Sequence, residues 1–105
     1  MSLIVEREQK DLTSILKLRG VLDFSTTNLI NPYLEEIKEI DELIIDFSEL
    51  EFIDSTGIGS ILDAIHMSQE KNFKIELTGV NDLAHEVFEM VGVYTILNAV
   101  QGGEQ

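Results

Sequence analysis

Asp54, Ser55, Thr56, Gly57, Ile58 and Gly59 gather a carboxylate, two hydroxyls and two glycines in one short stretch. Residues of these types can attack a bond, cradle a phosphate or receive one. The spacing decides between them. An aspartic protease carries Asp-Thr-Gly or Asp-Ser-Gly, and the extra residue between Asp54 and Gly57 breaks that pattern. A dinucleotide fingerprint needs a third glycine where Leu62 stands, and no Lys-Ser or Lys-Thr follows a glycine loop. A serine hydrolase needs a Gly-x-Ser-x-Gly elbow, absent around Ser55, and a histidine within reach. His66 falls about three helical turns, or about 16 Å, further along. His66 and His85 are therefore expected to be ordinary helix residues, too far apart for a local metal pair. An enzyme that brought Ser55, Asp54 and Asp23 to one rim would have to lose all turnover in Ser55→Ala.

Two readings of the turn remain. The run Ile58, Ile61, Leu62, Ile65 has the i, i+3, i+4, i+7 spacing of a buried helical face, so the turn joins a strand to a helix. In the structural reading, Ser55 or Thr56 caps the helix by accepting a backbone N–H, and Gly57 lets the chain turn closely. In the functional reading, a hydroxyl lies among unpaired N–H groups at the positive end of the helix dipole, where a phosphate is tolerated. A phosphoserine adds about −1.5 to −2 charges, and the formal net charge is already −13. A switch here would act by contact, blocking a partner that packs on the turn.

The elements that position this turn follow from periodicity. Leu3 to Arg7 and Leu12 to Arg19 alternate as two strands of a hairpin around Gln9, Lys10 and Asp11. From Ser25 to Ile40 the apolar positions Leu29, Tyr33, Ile37 and Ile40 keep helical spacing, with Ser25, Thr26 or Thr27 as N-cap. Pro32 either kinks that helix early or opens it, with Asn31 as cap. Leu43 to Phe47 is a buried strand, followed after a polar step by Phe52 and Ile53. Phe73 to Leu77 is another strand. A third helix puts Leu83, Ala84, Val87, Phe88 and Val91 on one side before Gly92 stops it. Val93 to Val100 is apolar, and its type stays open. Strands alternating with helices after a hairpin imply a mixed α/β sheet with right-handed parallel crossovers and helices on at least one face.

Composition excludes several functions. With 105 residues, the chain has the common size of one domain, expected over 1–105 with a polar tail from Gln101 to Gln105. Twenty acidic residues against seven basic ones repel nucleic acid and anionic membranes. No cysteine is present, so no disulfide or thiolate metal site forms. No apolar run approaches the roughly 20 residues of a membrane span, and the N-terminus lacks the basic segment and hydrophobic stretch of a signal peptide, so none is expected. The expected address is cytoplasmic.

The stretch Asp46-Phe47-Ser48-Glu49-Leu50-Glu51-Phe52-Ile53-Asp54-Ser55-Thr56-Gly57-Ile58-Gly59 resembles the motif of bacterial anti-anti-sigma factors, the soluble STAS-domain proteins. The likeness extends to Gly20-Val21-Leu22-Asp23 and to Leu77-Thr78-Gly79, and so covers nearly the whole chain. It implies a mixed sheet of four to five strands with helices mainly on one face. It implies a non-catalytic binding switch without a cofactor of its own. In such proteins a serine of the Asp-Ser-Thr-Gly turn is phosphorylated by the anti-sigma factor, itself an ATP-dependent serine kinase. The unphosphorylated form binds that kinase and frees the sigma factor. A metal-dependent serine phosphatase resets the cycle. Carried over by position, Ser55 is the acceptor, with Thr56 the alternative, and Asp23, Asp54, Ser55, Thr56, Gly57, Ile58 and Gly59 form the partner-binding surface. For Asp23 a turn-forming role, and for Ile58 core packing, stand beside direct contact. Pro32 departs from the family, where a continuous first helix is usual. The family also holds stress-signalling scaffolds and cytosolic subunits of transporters, so a constitutive scaffold or transporter subunit is the alternative.

Overall fold

The computed structural model describes residues 2–100, and the tail expected at 101–105 lies outside them. Strands β1 (Leu3–Lys10) and β2 (Thr13–Leu22) form the opening hairpin, paired antiparallel from Leu3 opposite Gly20 to Lys10 opposite Thr13. The pairing runs through Gln9 and Lys10, which the sequence places in the connection. Backbone hydrogen bonds do not depend on side-chain polarity, so the ladder continues until Asp11, whose left-handed φ of 57° turns the chain. Helix α1 (Thr27–Glu35) leads to β3 (Glu42–Ile53), and helix α2 (Ser55–Lys71) leads to β4 (Lys74–Thr78). Helices α3 (Asp82–Met90) and α4 (Val93–Val100) follow, the latter settling the open segment.

The sheet order is β1-β2-β3-β4, with β2, β3 and β4 mutually parallel. Both parallel crossovers step the same way across the sheet, so their right-handedness brings α1 and α2 to the same face. That face buries Leu16 and Leu18 of β2, Leu43, Ile45 and Phe47 of β3, and Ile75 of β4. Between them Ile15, Lys17, Ile44 and Asp46 are only half-buried, on the side that carries the Arg19 to Glu49 ion pair of 2.9 Å. The helices close the core with Ile30 and Leu34, then Ile58, Ile61, Ala64 and Ile65, then Ala84, Phe88 and Val93. Each such side chain contributes about 1.5–3 kcal/mol by leaving water. The α/β architecture is the expected one, with four strands.

The first helix differs from its expected span. It ends at Glu35, and Ile37 and Ile40 are buried from the irregular segment that follows, where Glu39 takes a left-handed φ of 52°. Helical spacing thus continued past the helix because loop residues filled the same core face. Pro32 lies inside α1 rather than at its start, and Asn31 is helical rather than a cap. The proline forgoes one amide donor, while its own carbonyl accepts the Glu36 amide at 3.1 Å to end the helix. Thr26 stands at the N-cap position but makes no side-chain cap hydrogen bond.

In α3, Ala84 and Phe88 point inward and Val87 packs against the core. The side chain of Leu83, expected beside them, lies outside what is described. Val91 is exposed, because α3 has ended and Gly92 takes a φ of 77°. Phe88 is fully buried and meets Phe47 edge-on, with ring centroids 5.5 Å apart at 78°. That contact attaches α3 to the centre of the sheet. Phe88→Ala is expected to cost about 3–5 kcal/mol, seen as a lower urea midpoint at unchanged denaturant slope. A loss under about 1 kcal/mol would show that α3 is not anchored through this ring.

Candidate functional site

Parallel pairing aligns the ends of β2 and β3, with Val21 opposite Phe52 and Leu22 opposite Ile53. The chains leaving both strands therefore emerge side by side. The Asp54 amide still reaches the Leu22 carbonyl at 3.2 Å. Asp54 is extended, with φ −108° and ψ −175°, and is the N-cap of α2. Its Oδ1 accepts the Gly57 amide at 2.8 Å, and its Oδ2 accepts the Phe24 amide at 3.1 Å. One carboxylate thus caps the helix and holds the neighbouring loop.

The cap corrects the expectation that Ser55 or Thr56 would fill it. A capping side chain must belong to the last non-helical residue, and the helix starts one residue earlier than that reading needs. Ser55 and Thr56 are consequently exposed in the first helical turn. Both hydroxyl-bearing residues thus stand exposed in the first turn of α2, at the positive end of the helix.

Gly57 is buried against the end of β2. A methyl group added there would meet the Leu22 carbonyl oxygen at 2.5 Å, and Ile53 Cγ1 and Leu22 Cγ at 2.9 Å each. Ile58 is buried in the core cluster. These two support the turn from beneath, and of the roles open for Ile58 its position gives core packing. Among the described residues, nothing lies within 4 Å of where a Cβ on Gly59 would stand. A glycine there weakens the helix by about 0.5–1 kcal/mol relative to alanine and gains no packing in return.

Asp23 forms a turn at the end of β2. Its carbonyl accepts the Thr26 and Thr27 amides at 3.0 Å each, and its Oδ1 accepts the Ser25 amide at 2.9 Å and the Ser25 hydroxyl at 2.7 Å. The Ser25 hydroxyl, foremost, holds the Asp23 carboxyl below the usual carboxylate range, against a smaller opposing effect of desolvation. A carboxyl so lowered favours the fold at neutral pH, and that contribution disappears as pH falls through its folded-state pKa.

Buried Thr26 locks this loop from below. Its hydroxyl accepts the Asp23 amide at 2.9 Å and donates to the Val21 carbonyl at 2.9 Å. Neither this role nor the place of Phe24 was visible in the sequence, where Thr26 is one of several possible caps. The only local signal is an aromatic residue set in an otherwise polar turn.

The histidines lie elsewhere: His66 is exposed on α2, and His85 Nδ1 is 2.9 Å from the Tyr94 hydroxyl. Among the described residues, no group of three His, Asp or Glu is arranged to hold a metal, and no helix is long and apolar enough to cross a membrane.

A four-stranded mixed sheet with helices on one face, and a capped strand-to-helix turn presenting a serine, define a class. Residues 5–101 match the model of the STAS domain, and the chain belongs to that family. It is 26% identical over 100 residues to the anti-sigma F factor antagonist of Paenibacillus polymyxa, covering 92% of this chain and 86% of that one. The fold is shared with the phosphorylated form of the Bacillus cell fate determinant SpoIIAA, at a TM-score of 0.73 and 21% identity, over 88% of this chain and 86% of that one. It is also shared with a sulfate transporter family protein from Wolinella succinogenes, at a TM-score of 0.75 and 19% identity, over 86% and 75%.

The two glycines make opposite predictions. Gly57→Ala is expected to destabilise the protein by about 1–3 kcal/mol through overpacking, and Gly59→Ala to stabilise it by about 0.5–1 kcal/mol, both from urea midpoints. Equal effects would contradict the packing described. Separately, Ser25→Ala should raise the Asp23 titration midpoint, followed by carboxyl carbon NMR; an unchanged midpoint would remove Ser25 as the cause.

Proposed function

We propose that this protein is an anti-sigma factor antagonist whose binding is switched by phosphorylation of Ser55. The observation that carries this reading is the division of labour at the turn: Asp54 caps α2, so the exposed Ser55 hydroxyl is not committed to the fold. Family membership and the name of the Paenibacillus relative support the biological role. SpoIIAA, which shares the fold, has a phosphorylated form, and this supports phosphorylation as a state open to such proteins.

In this reading the partner is an anti-sigma factor with serine kinase activity, which supplies ATP from its own site. The Ser55 Oγ attacks the γ-phosphorus, the bond to ADP breaks, and the hydroxyl proton passes to a base of the kinase. Thr56, one residue on and also exposed, is the alternative acceptor. A metal-dependent serine phosphatase hydrolyses the phosphoserine and restores binding. This chain contributes surface rather than catalysis, and works in the cytoplasm.

Asp23, Ser55, Thr56 and Gly59 form the contact region; Asp54, with both oxygens held by amides, positions it, and Gly57 and Ile58 hold it from below. The bare backbone at Gly59 suits close approach of a partner, since no contact among the described residues requires a glycine there. The phosphate acts locally. It sets a dianion against a surface that fits a neutral hydroxyl, and like-charge or desolvated-charge mismatches at interfaces cost several kcal/mol.

The test is intact and fragment mass spectrometry after incubation with the cognate kinase and magnesium ATP, followed by calorimetric binding. One phosphate on Ser55, absent in Ser55→Ala, is expected. Ser55→Ala should bind as the unmodified protein does, and Ser55→Asp on the order of a hundred-fold more weakly, since about 1.4 kcal/mol is tenfold. Equal binding by the two variants would sink the switch. No phosphate from a demonstrably active cognate kinase would point instead to a constitutive scaffold or transporter subunit.

A further inference from the structure

Phe24 is 81% exposed, although the loop that carries it is held by several hydrogen bonds. The flanking residues are fixed by Asp23 accepting from Ser25 and by buried Thr26 bonding Asp23 and Val21. Its own amide is held by the Asp54 Oδ2 at 3.1 Å. A flexible loop could fold a phenyl ring back onto the core. This one keeps it in water, beside the residue that precedes Ser55. Met90, equally exposed at 82%, ends α3 and has no such link to the turn.

We propose that Phe24 is the aromatic anchor by which the serine kinase grips this surface, and that Asp54 is the positioning residue that keeps it beside Ser55. This rests on the kinase-substrate reading above and adds the chemistry of the partner's complementary site: an apolar pocket next to the one that receives the Ser55 hydroxyl. An aromatic ring buries about 150–250 Å². Held on a fixed backbone, it loses only two side-chain torsions on binding. Central aromatic residues of this kind dominate many interfaces, and their truncation commonly costs thirty-fold or more in affinity. The tie through Asp54 also keeps the anchor and the acceptor in one register, so a partner that captures the ring has the hydroxyl at a fixed offset.

Asp54→Asn separates the two duties of the carboxylate. Asparagine keeps one oxygen for the Gly57 amide and remains a good N-cap, but it turns an NH2 group toward the Phe24 amide, which then has no acceptor there. The experiment is calorimetric titration of the cognate kinase with the full chain and with Phe24→Ala, Phe24→Tyr, Asp54→Asn, Ser55→Asp and the Phe24→Ala/Asp54→Asn double variant, each checked by thermal unfolding.

Phe24→Ala should bind about thirty-fold more weakly with its unfolding midpoint unchanged, and Phe24→Tyr should return to within about threefold. Asp54→Asn should weaken binding by itself yet add little to Phe24→Ala, the non-additivity of two groups acting as one. Binding by Phe24→Ala equal to the unmodified chain, while Ser55→Asp fails to bind, would overturn the anchor and leave the switch intact. Full additivity in the double variant would overturn the positioning role of Asp54. Undiminished binding by Ser55→Asp would instead bring down the switch on which the anchor rests.

Discussion

The carboxylate of Asp54 joins two segments that are thirty residues apart in sequence. One oxygen takes the Gly57 amide, the other the Phe24 amide, and the backbone of the same residue is held to Leu22. A cap of this kind is worth about 1 kcal/mol as helix stabilisation alone. Its larger consequence is geometric. The first turn of α2 is pressed onto the end of β2, leaving no room for a side chain at Gly57, and the loop after β2 is drawn over the same corner. The register of β2 on β3 makes this possible, because only aligned strand ends deliver Asp23 and Asp54 to the same place.

Charge works differently here from shape. A formal net charge of −13 leaves little for one phosphate to change at a distance, and salt screens what remains within about 8–10 Å. Within the corner, however, the balance is fine. Both Asp54 oxygens already accept from amides, and the Ser25 hydroxyl, foremost, holds the Asp23 carboxyl below the usual carboxylate range. The α2 amides favour an added anion while the two carboxylates oppose it. In the proposed switch, a modification at Ser55 would fall on an exposed side chain rather than on the hydrogen bonds that hold the corner.

Periodicity located most elements because burial on one face imposes it. The alternation of β2 and the Ile58, Ile61, Ile65 spacing of α2 are direct imprints of a single covered sheet face. The same logic misled at α1, where Ile37 and Ile40 point into the core from a loop and so extended the apparent helix. It also could not carry β3 through Ser48 to Glu51, where pairing with β2 continues across register shifts in a polar stretch. Burial pattern reports the face a side chain sees, not the hydrogen bonds of its backbone.

By itself the sequence determined the alternation of strands and helices, the strand-to-helix turn at Asp54 to Gly59, and the family to which that turn belongs. These are local properties, carried by residue types at short spacing. The tertiary structure alone decided which residue caps α2, that Gly57 and Ile58 lie beneath the surface while Ser55 and Thr56 lie on it, and that Phe24 is tied beside them. The packing of Gly57 on Leu22 and the tie from Asp54 to Phe24 join segments far apart in sequence, and short-range spacing holds no record of which distant segments the sheet will bring together.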